Sequence, residues 1–482
     1  MAHLLKEQQH LVNFWDELSN DEKSQLENQI KKVDFTQARK WFEDSAHLQT
    51  SSPENLTPIP KERIFSTDKL SKTEMHEYWE AGLDAISRGE VAALVLAGGQ
   101  ASRLGSAEPK GTIPLGLNVS FGDSLLGIQA AKIALLQAAA GERNHENNGK
   151  IHWLVMTSPG TEKATHSHVQ KLAKHHGFNF EDQVTIFSQD EIPAYDENGD
   201  FLLATKHSLV ASPNGNGGVY SALAPFLPKL KAKGIKYFHV YCVDNILCKV
   251  ADPHFIGFAA LNNADVATKC VAKQKGELVG SVCLDSGKPR VVEYSELGAE
   301  LADQKTADGS YLFGAGSIAN HFFSMEFMER ICSSGSISLP YHRAHKKIAY
   351  IDPKSGEQIK PTQPNGYKLE LFIFDVFEYA RNFFIWQVER SEEFSPLKNA
   401  ESAGKDCLST CKNDLAALNS KWLQHAGATI EENGKHFYLN TLISYDGENL
   451  QELRGKSINQ DLIDSDKIIA KHFVHNTDSI YD

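Results

Sequence analysis

Cysteine is sparse in this chain and unpatterned. Among 482 residues there are seven, Cys242, Cys248, Cys270, Cys283, Cys332, Cys407 and Cys411. None stands in a C-x-x-C pair and the number is odd, which argues against a disulfide framework or structural zinc and favours a reducing compartment. Long hydrophobic runs are missing too. No apolar stretch approaches the ~20 residues that cross a bilayer, and the opening MAHLLKEQQHLVNFWDEL lacks the apolar centre of a signal peptide. Positive charge is in deficit: 49 Lys and Arg against 62 Asp and Glu leave a net charge of −13. That balance argues against a broad nucleic-acid or anionic-membrane surface. The absences together imply a soluble, cytoplasmic protein with neither nucleic acid nor membrane as partner, and a monomer or homodimer is expected. A small anionic substrate is compatible with them, because a few cations inside a cleft set the local field.

What is present has ordinary globular character, 41% hydrophobic and 23% charged, at a length that accommodates two or three domains. The region 1–89 is rich in Glu, Gln and Lys, and Leu11, Phe14, Trp15 and Leu18 recur at helical spacing. An amphipathic N-terminal helix is expected there, with the proline-rich SSPENLTPIP (Ser51–Pro60) as a loop. From Val91 short apolar runs succeed one another: Val91–Leu96, Ile151–Thr157, Val184–Ser188, Tyr237–Val243 and Asp265–Ala272. Helical stretches such as Leu125–Ala139 and Glu162–His176 lie between them. Strands alternating with helices predict an α/β domain over 90–390 with a doubly wound, mostly parallel sheet. Gly280–Leu284 and Arg290–Ser295, separated by DSGKP, read as an added hairpin. Phe372–Tyr379 reads as an apolar helix and Phe383–Val388 as a strand. After Phe394 the chain turns polar and irregular, and a small β-containing domain is expected over 391–482.

The segment LVLAGGQASRLGSAEPKGTIPLG (Leu94–Gly116) concentrates the chemistry. A buried strand delivers Gly98 and Gly99 to the place where doubly wound folds bind ligands, and bare main chain can approach an anion closely. Arg103 offers a planar fork to phosphate oxygens, and Lys110 a point charge. The alternative is a plain strand-to-helix turn with solvated cations. The segment is not a Walker A loop, for no G-K-[ST] follows a four-residue spacer. GAGSIA (Gly314–Ala319) matches the dinucleotide pattern G-x-G-x-x-[GA], but no ribose-binding acid follows about 20 residues on. Asp244, ending the run YFHVYCVD, reads equally as a metal ligand or a helix N-cap. The 20 histidines show no helix-borne zinc spacing and read as surface or core residues.

LAGGQASRLGSAEPKG is similar to the L-x-x-G-G-x-x-x-R-L-G-x-x-x-P-K signature of nucleotidyltransferases that make UDP-sugars. Further blocks resemble the UDP-N-acetylglucosamine pyrophosphorylase family: FSQDEIPA, PNGNGGVY, FHVYCVDNILCKVADPHFIGF, VVEYSEL, KPTQPNGYKLELFIFD and FSPLKNAES, in the family's order. A later block, LISYDGENL, resembles the family's C-terminal domain. The resemblance implies a Rossmann-like catalytic domain of nucleotidyltransferase type that joins UTP to an N-acetylhexosamine 1-phosphate. It implies that the main chain of Leu96, Ala97, Gly98 and Gly99 holds uridine, with Gln189 and Gly215 on the uracil. Arg103, Lys110 and Lys398 would act on the phosphates, as would Lys368. Asp244 would bind Mg²⁺, with Mn²⁺ also admissible. Asn216, Gly280, Glu293, Tyr294, Ser317 and Phe372 would contact the sugar. Alternatives are a related enzyme using glucose or galactose 1-phosphate, and a non-catalytic UDP-sugar-binding paralogue.

Two departures from the family pattern bear on this. Ala101 stands where the family has Gly, at a cost of about 1 kcal/mol if the position is left-handed. Gly314 and Ser317 replace two Asn, so the shorter Ser317 is expected to relax discrimination between gluco and galacto sugars.

Overall fold

The computed structural model describes residues 8–47, 52–117, 122–143, 149–277, 279–333, 337–430 and 438–458. The first seven residues and those beyond 458, parts of the expected N-terminal helix and C-terminal domain, lie outside the described residues, as does the Tyr294 side chain.

Among the described residues eleven strands form one sheet. In chain order they are β1 (Leu56–Pro58), β2 (Ile64–Ser66), β3 (Val91–Leu96), β4 (His152–Thr157), β5 (Val184–Ser188), β6 (Tyr237–Cys242), β7 (Val266–Ala272), β8 (Ser281–Asp285), β9 (Lys288–Val292), β10 (Ala315–Ser324) and β11 (Phe383–Gln387). Across the sheet the order is β2-β11-β7-β10-β6-β3-β4-β5, with β8 pairing to β10, β1 and β9. Strands β3, β4 and β5 step outward in parallel, and the chain then returns to lay β6 parallel on the other side of β3. That reversal makes the carboxyl ends of β3 and β6 the topological switch point, the usual ligand position in doubly wound sheets.

All six residues of VAALVL in β3 are buried, as both-face burial in a parallel sheet requires. Each large aliphatic side chain so buried stabilises the fold by roughly 1.5–3 kcal/mol. The helix Leu125–Gly141 is buried nearly all round and is capped by Ser124, whose hydroxyl accepts from the Gly127 N–H at 2.9 Å. Helices Lys72–Ser87 and Pro253–Leu261 cross at paired glycines. A Cβ on Gly82 would stand 2.0 Å from the Pro253 carbonyl oxygen, and one on Gly257 would stand 1.8 Å from that of Tyr78. The hairpin β8–β9 turns through Ser286 (φ 51°) and Gly287 (φ 82°), the two left-handed positions of a type I′ turn.

By contact the chain divides into two units, and the division does not follow breaks at 89 and 390. The described residues of Ser51–Ser188, Leu223–Ser333 and Phe377–Asp482 form the unit with the large sheet. Those of Met1–Thr50, Gln189–Ala222 and Ser334–Val376 form the other. This second unit packs helices Asn20–Lys32 and Phe35–Ala46 around Leu26, Ile30, Tyr195, Phe201 and Leu369. Both helices begin with a side-chain cap, at Ser19 and Asp34.

Several expectations need correction. Residues 9–12 and 15–17 form short 3₁₀ turns rather than one amphipathic helix, although Leu11, Phe14 and Leu18 are buried. The proline-rich loop contains β1, which pairs antiparallel with β8 through Leu56↔Asp285. A second strand, β2, joins β11, so residues before 89 complete the sheet. The apolar run at 372–379 is a 3₁₀ helix, Ile373–Tyr379. After Phe394 the chain is not irregular but forms an 18-residue helix, Leu408–His425, while the expected β content is present as the short pair Thr429–Ile430 and Ser457–Ile458. The dinucleotide-like GAGSIA opens β10, an antiparallel strand between β6 and β7, and cannot be a strand-to-helix phosphate turn. All seven cysteines are free, and no described helix is long and apolar enough to cross a membrane.

Candidate active site

The glycine loop leaves β3 and is pinned from β4. The Ala97 N–H donates to the Met156 carbonyl at 2.8 Å, and the Ser158 hydroxyl donates to the Gly98 carbonyl at 2.8 Å. The loop then folds back on itself. Gln100 bridges antiparallel to Pro109, the Ala101 N–H reaches the Glu108 carbonyl at 3.0 Å, and the Lys110 N–H reaches Gly99 at 3.1 Å. Gly105 closes the inner turn at φ 78°. Ala101 lies at φ −87°, a region any residue adopts, so the penalty foreseen for replacing Gly does not arise. Its methyl is buried. A Cβ on Gly99 would meet nothing within 4 Å, which leaves its main chain approachable from outside. Arg103 is exposed at the tip.

Lys110 and Asp244 meet at the switch point. Strand β6 lies in register with β3 through Cys242↔Leu96, so the turn after β6 carries Asp244 past the glycine loop. Lys110 Nζ stands 3.4 Å from Asp244 Oδ2, with about a sixth of each side chain exposed. Asp244 is not a helix cap, because the next helix is Pro253–Leu261 and its cap is Asp252. Lys110 is fixed from behind: a Cβ on Gly111 would lie 2.8 Å from both Leu126 Cγ and Val243 Cγ2. Lys398 joins this cluster. The Leu397 N–H donates to the Asp244 carbonyl at 2.8 Å. The Cys242 thiol is pushed up to about 12 by burial first and the Asp244 charge second, while Lys398 and Lys110 pull it the other way.

Three further residues converge on β10. Its Tyr241↔Asn320 pairing runs out at the carboxyl end of β6, so Ser317 projects beyond that end, on the side of Asp244. The Ser317 N–H donates to the Gly280 carbonyl at 2.9 Å, and a Cβ on Gly280 would stand 3.3 Å from Glu293 Oε1. Ser317 lies at a register shift opposite Thr268–Cys270, and Ala319 there takes φ 51°.

In the other unit a second cluster forms. Gly215 sits at φ 82°, and a Cβ on it would stand 2.5 Å from the Leu371 carbonyl oxygen. Asn216 Oδ1 accepts from the Ile373 N–H at 2.9 Å, which ties PNGNGG to the segment bearing Phe372. Gln189 is buried beneath Gly218, with its Oε1 3.1 Å from where a Cβ would be. The Phe372 ring stacks on His342 at 4.0 Å, and His342 Nε2 is 2.8 Å from Asp375 Oδ2. Lys368 lies on the strand Gly366–Glu370, opposite Ala344. Apart from Tyr294, whose side chain lies outside the described residues, the predicted residues fall into three local groups, two in the large unit and one in the other.

Sequence reasoning passed over the residues that hold these groups. Ser158 and Asn245 act by hydrogen bonds to partners 60 and 150 residues away, a separation that leaves no local pattern. Buried charges under the site were missed for the same reason. Lys269 bridges Asp252 at 2.5 Å and also Glu393, and Lys249 bridges Asp446 at 2.6 Å.

A doubly wound sheet with a glycine loop and a Lys–Asp pair at its switch point defines a nucleotide-processing α/β protein. The chain belongs to the UTP–glucose-1-phosphate uridylyltransferase family, whose model matches residues 33–443. It is 66% identical over 465 residues, 96% of each chain, to a Caenorhabditis elegans protein described as a probable UDP-N-acetylglucosamine pyrophosphorylase. It is 38% identical to the UDP-N-acetylglucosamine pyrophosphorylase of Saccharomyces cerevisiae, over 93% of this chain and 95% of that one. Its fold is similar to the crystal structure of the uridine diphosphate N-acetylglucosamine pyrophosphorylase of Trypanosoma brucei, with a TM-score of 0.81, 28% identity and coverage of 98% and 96%.

Proposed function

We propose that the chain transfers the uridylyl group of UTP to N-acetyl-α-D-glucosamine 1-phosphate, giving UDP-N-acetylglucosamine and pyrophosphate. The observation that carries this reading is the meeting of Lys110 and Asp244 at the ends of β3 and β6, with the Lys398 segment bonded to Asp244. The attacking phosphate oxygen is already anionic near neutral pH, for a phosphate monoester has its second pKa at about 6. No general base is required. The reaction needs two polyanions aligned and their repulsion relieved, which is work for main-chain amides and cations. Leu96 to Gly99 present main chain to the nucleoside, and Arg103 and Lys110 neutralise the triphosphate. Lys398 meets the charge that develops at the α-phosphorus. Gly280, Glu293 and Ser317 face the sugar, and in the other unit Gln189, Gly215, Asn216, Lys368 and Phe372 have the roles their blocks imply.

Asp244 fits a divalent cation of the Mg²⁺ kind. Among the described residues no three His, Cys, Asp or Glu gather as a closed metal cage, and Mg²⁺ is commonly held by one or two carboxylates with substrate phosphates and water. When bound it would neutralise phosphate charge beside Asp244. A pyrophosphate-release assay with UTP, N-acetylglucosamine 1-phosphate and Mg²⁺ tests the reading, which fails if no pyrophosphate appears. The same assay with N-acetylgalactosamine, glucose and galactose 1-phosphates separates it from a related UDP-sugar enzyme, and silence with every sugar would leave a UDP-sugar-binding paralogue.

A further inference from the structure

The turn after β6 and the segment before Lys398 are far apart in sequence, yet they pair as a short antiparallel ladder. The Ile246 N–H donates to the Ser395 carbonyl at 3.1 Å, the Leu397 N–H donates to the Asp244 carbonyl at 2.8 Å, and Asn245 bridges Pro396 between them. The Asn245 side chain adds a second layer. Its Nδ2 donates to the Glu393 carbonyl at 2.6 Å, and its Oδ1 accepts from the Ser395 N–H at 2.9 Å and the Leu247 N–H at 3.3 Å. The side chain is buried, 5% exposed, and its two ends face opposite chemistry. Turning the amide over would set its NH₂ against two N–H donors and its oxygen against a carbonyl, so one orientation satisfies every group.

Both flanks of this ladder are anchored. On the incoming side Glu393 joins the buried charges of Lys269 and Lys249. On the outgoing side the N–H groups of Lys398 and Asn399 both donate to the Asp406 carbonyl, at 2.7 and 2.9 Å. The main chain of Lys398 is therefore held from two directions, and the Asn245 carboxamide couples it to the turn that presents Asp244.

We propose that Asn245 is a positioning residue: its carboxamide clasps the Asp244 turn to the Lys398 segment, so that carboxylate and ammonium reach the phosphates as one preassembled pair. The proposal rests on the assignment of Asp244 and Lys398 to the uridylyl transfer. Asn245 touches no reacting atom and acts through these two neighbours. A small displacement of a charged group lowers transition-state stabilisation more than ground-state binding, because the charge it meets develops during the reaction.

The test is a double-mutant cycle on the full chain, read by pyrophosphate release with UTP, N-acetylglucosamine 1-phosphate and Mg²⁺. Asn245→Ala is expected to lower kcat at least tenfold, with KM for each substrate changed less than threefold. In a Lys398→Ala background the same change should cost less than threefold more, since the group being positioned is already gone. Asn245→Ser retains an acceptor for the Ser395 N–H without reaching the Glu393 carbonyl. It should fall between wild type and Asn245→Ala, and it replaces Asn245→Ala in the cycle if that variant does not fold. Melting temperatures of all variants are measured alongside. Folded variants with kcat within twofold of wild type overturn the proposal, and so do losses that multiply across the cycle. A wild-type chain that releases no pyrophosphate overturns the functional reading and the clasp together. A Lys398→Ala variant as active as wild type removes Lys398 from the reaction, and the clasp with it.

Discussion

Lys110 Nζ lies 3.4 Å from Asp244 Oδ2, across 134 residues of chain and at the carboxyl ends of two adjacent parallel strands. About a sixth of each side chain stays open to water, so the pair lies between a screened surface pair and a dry buried one. A lysine and an aspartate left accessible at a topological switch point are placed to meet a ligand.

Lys110→Ala should therefore lower kcat/KM by about 10²-fold or more, the scale of losing one charge-stabilising group at a reacting centre, while the variant stays folded, with a loss of unfolding free energy below the roughly 3–5 kcal/mol of breaking a fully buried pair. Steady-state kinetics beside a denaturant titration checks both. Wild-type turnover in the variant would exclude Lys110 from the reaction.

Ser317 reaches less far than the Asn of the family pattern, and its main chain is fixed by Gly280. The wild-type chain should use N-acetylgalactosamine 1-phosphate within about tenfold of the gluco epimer, the range that a single neutral hydrogen bond can shift. Ser317→Asn should widen that ratio. The kcat/KM ratio for the two epimers in each protein decides the matter, and equal strict gluco preference would refute the expectation.

Gly257 and Gly82 let two helices touch main chain to main chain, with Cβ positions 1.8 and 2.0 Å from carbonyl oxygens. Neither contact can yield by turning a side chain. Gly257→Ala should cost about 3 kcal/mol or more, at the upper end of overpacking losses, and it should lower the melting temperature. The KM for UTP should hold wherever the variant remains folded.

His239 makes the fold sensitive to acid. It is fully buried, its Nδ1 accepts from the Ala251 N–H at 2.8 Å, and its Nε2 faces Asn320 Oδ1 at 2.7 Å. Burial first, and the nearby Lys269 charge second, lower its pKa from 6.5 to about 4. The unfolded chain thus binds a proton that the folded chain refuses between these values. Stability from this group is complete above about 6.5 and is lost as pH falls toward and through about 4, by about 3 kcal/mol in all. His239→Gln should flatten the pH dependence of unfolding free energy across that window. An unchanged slope would contradict the assignment.

The strands β3 to β7 were legible because parallel strands buried on both faces spell themselves out as apolar runs, as VAALVL does. The hairpin was legible because DSGKP breaks two apolar runs, but its two-residue turn at Ser286–Gly287 was not, since Ser is not a usual residue at a left-handed position. The strand at Leu56–Pro58 was hidden among prolines. A three-residue edge strand needs only a partner with free hydrogen-bonding groups, and that partner, β8, lies over 220 residues away. Helix Leu408–His425 was hidden by a polar composition that reads as irregular until one face is seen to pack.

Chemistry carried by residue type and short spacing was thus settled in the chain itself: the glycines, Arg103 and Lys110 stand within one turn of loop, and the family's blocks keep their order around them. Long-range placement was decided only by folding. The return of β6 beside β3 brings Asp244 to Lys110, the Asn245 ladder brings Lys398 to Asp244, and β10 carries Ser317 past the carboxyl end of β6. The reason is physical. Local dihedral preference and side-chain periodicity act over a few residues, whereas a hydrogen bond or an ion pair depends on distance in space and is blind to distance along the chain.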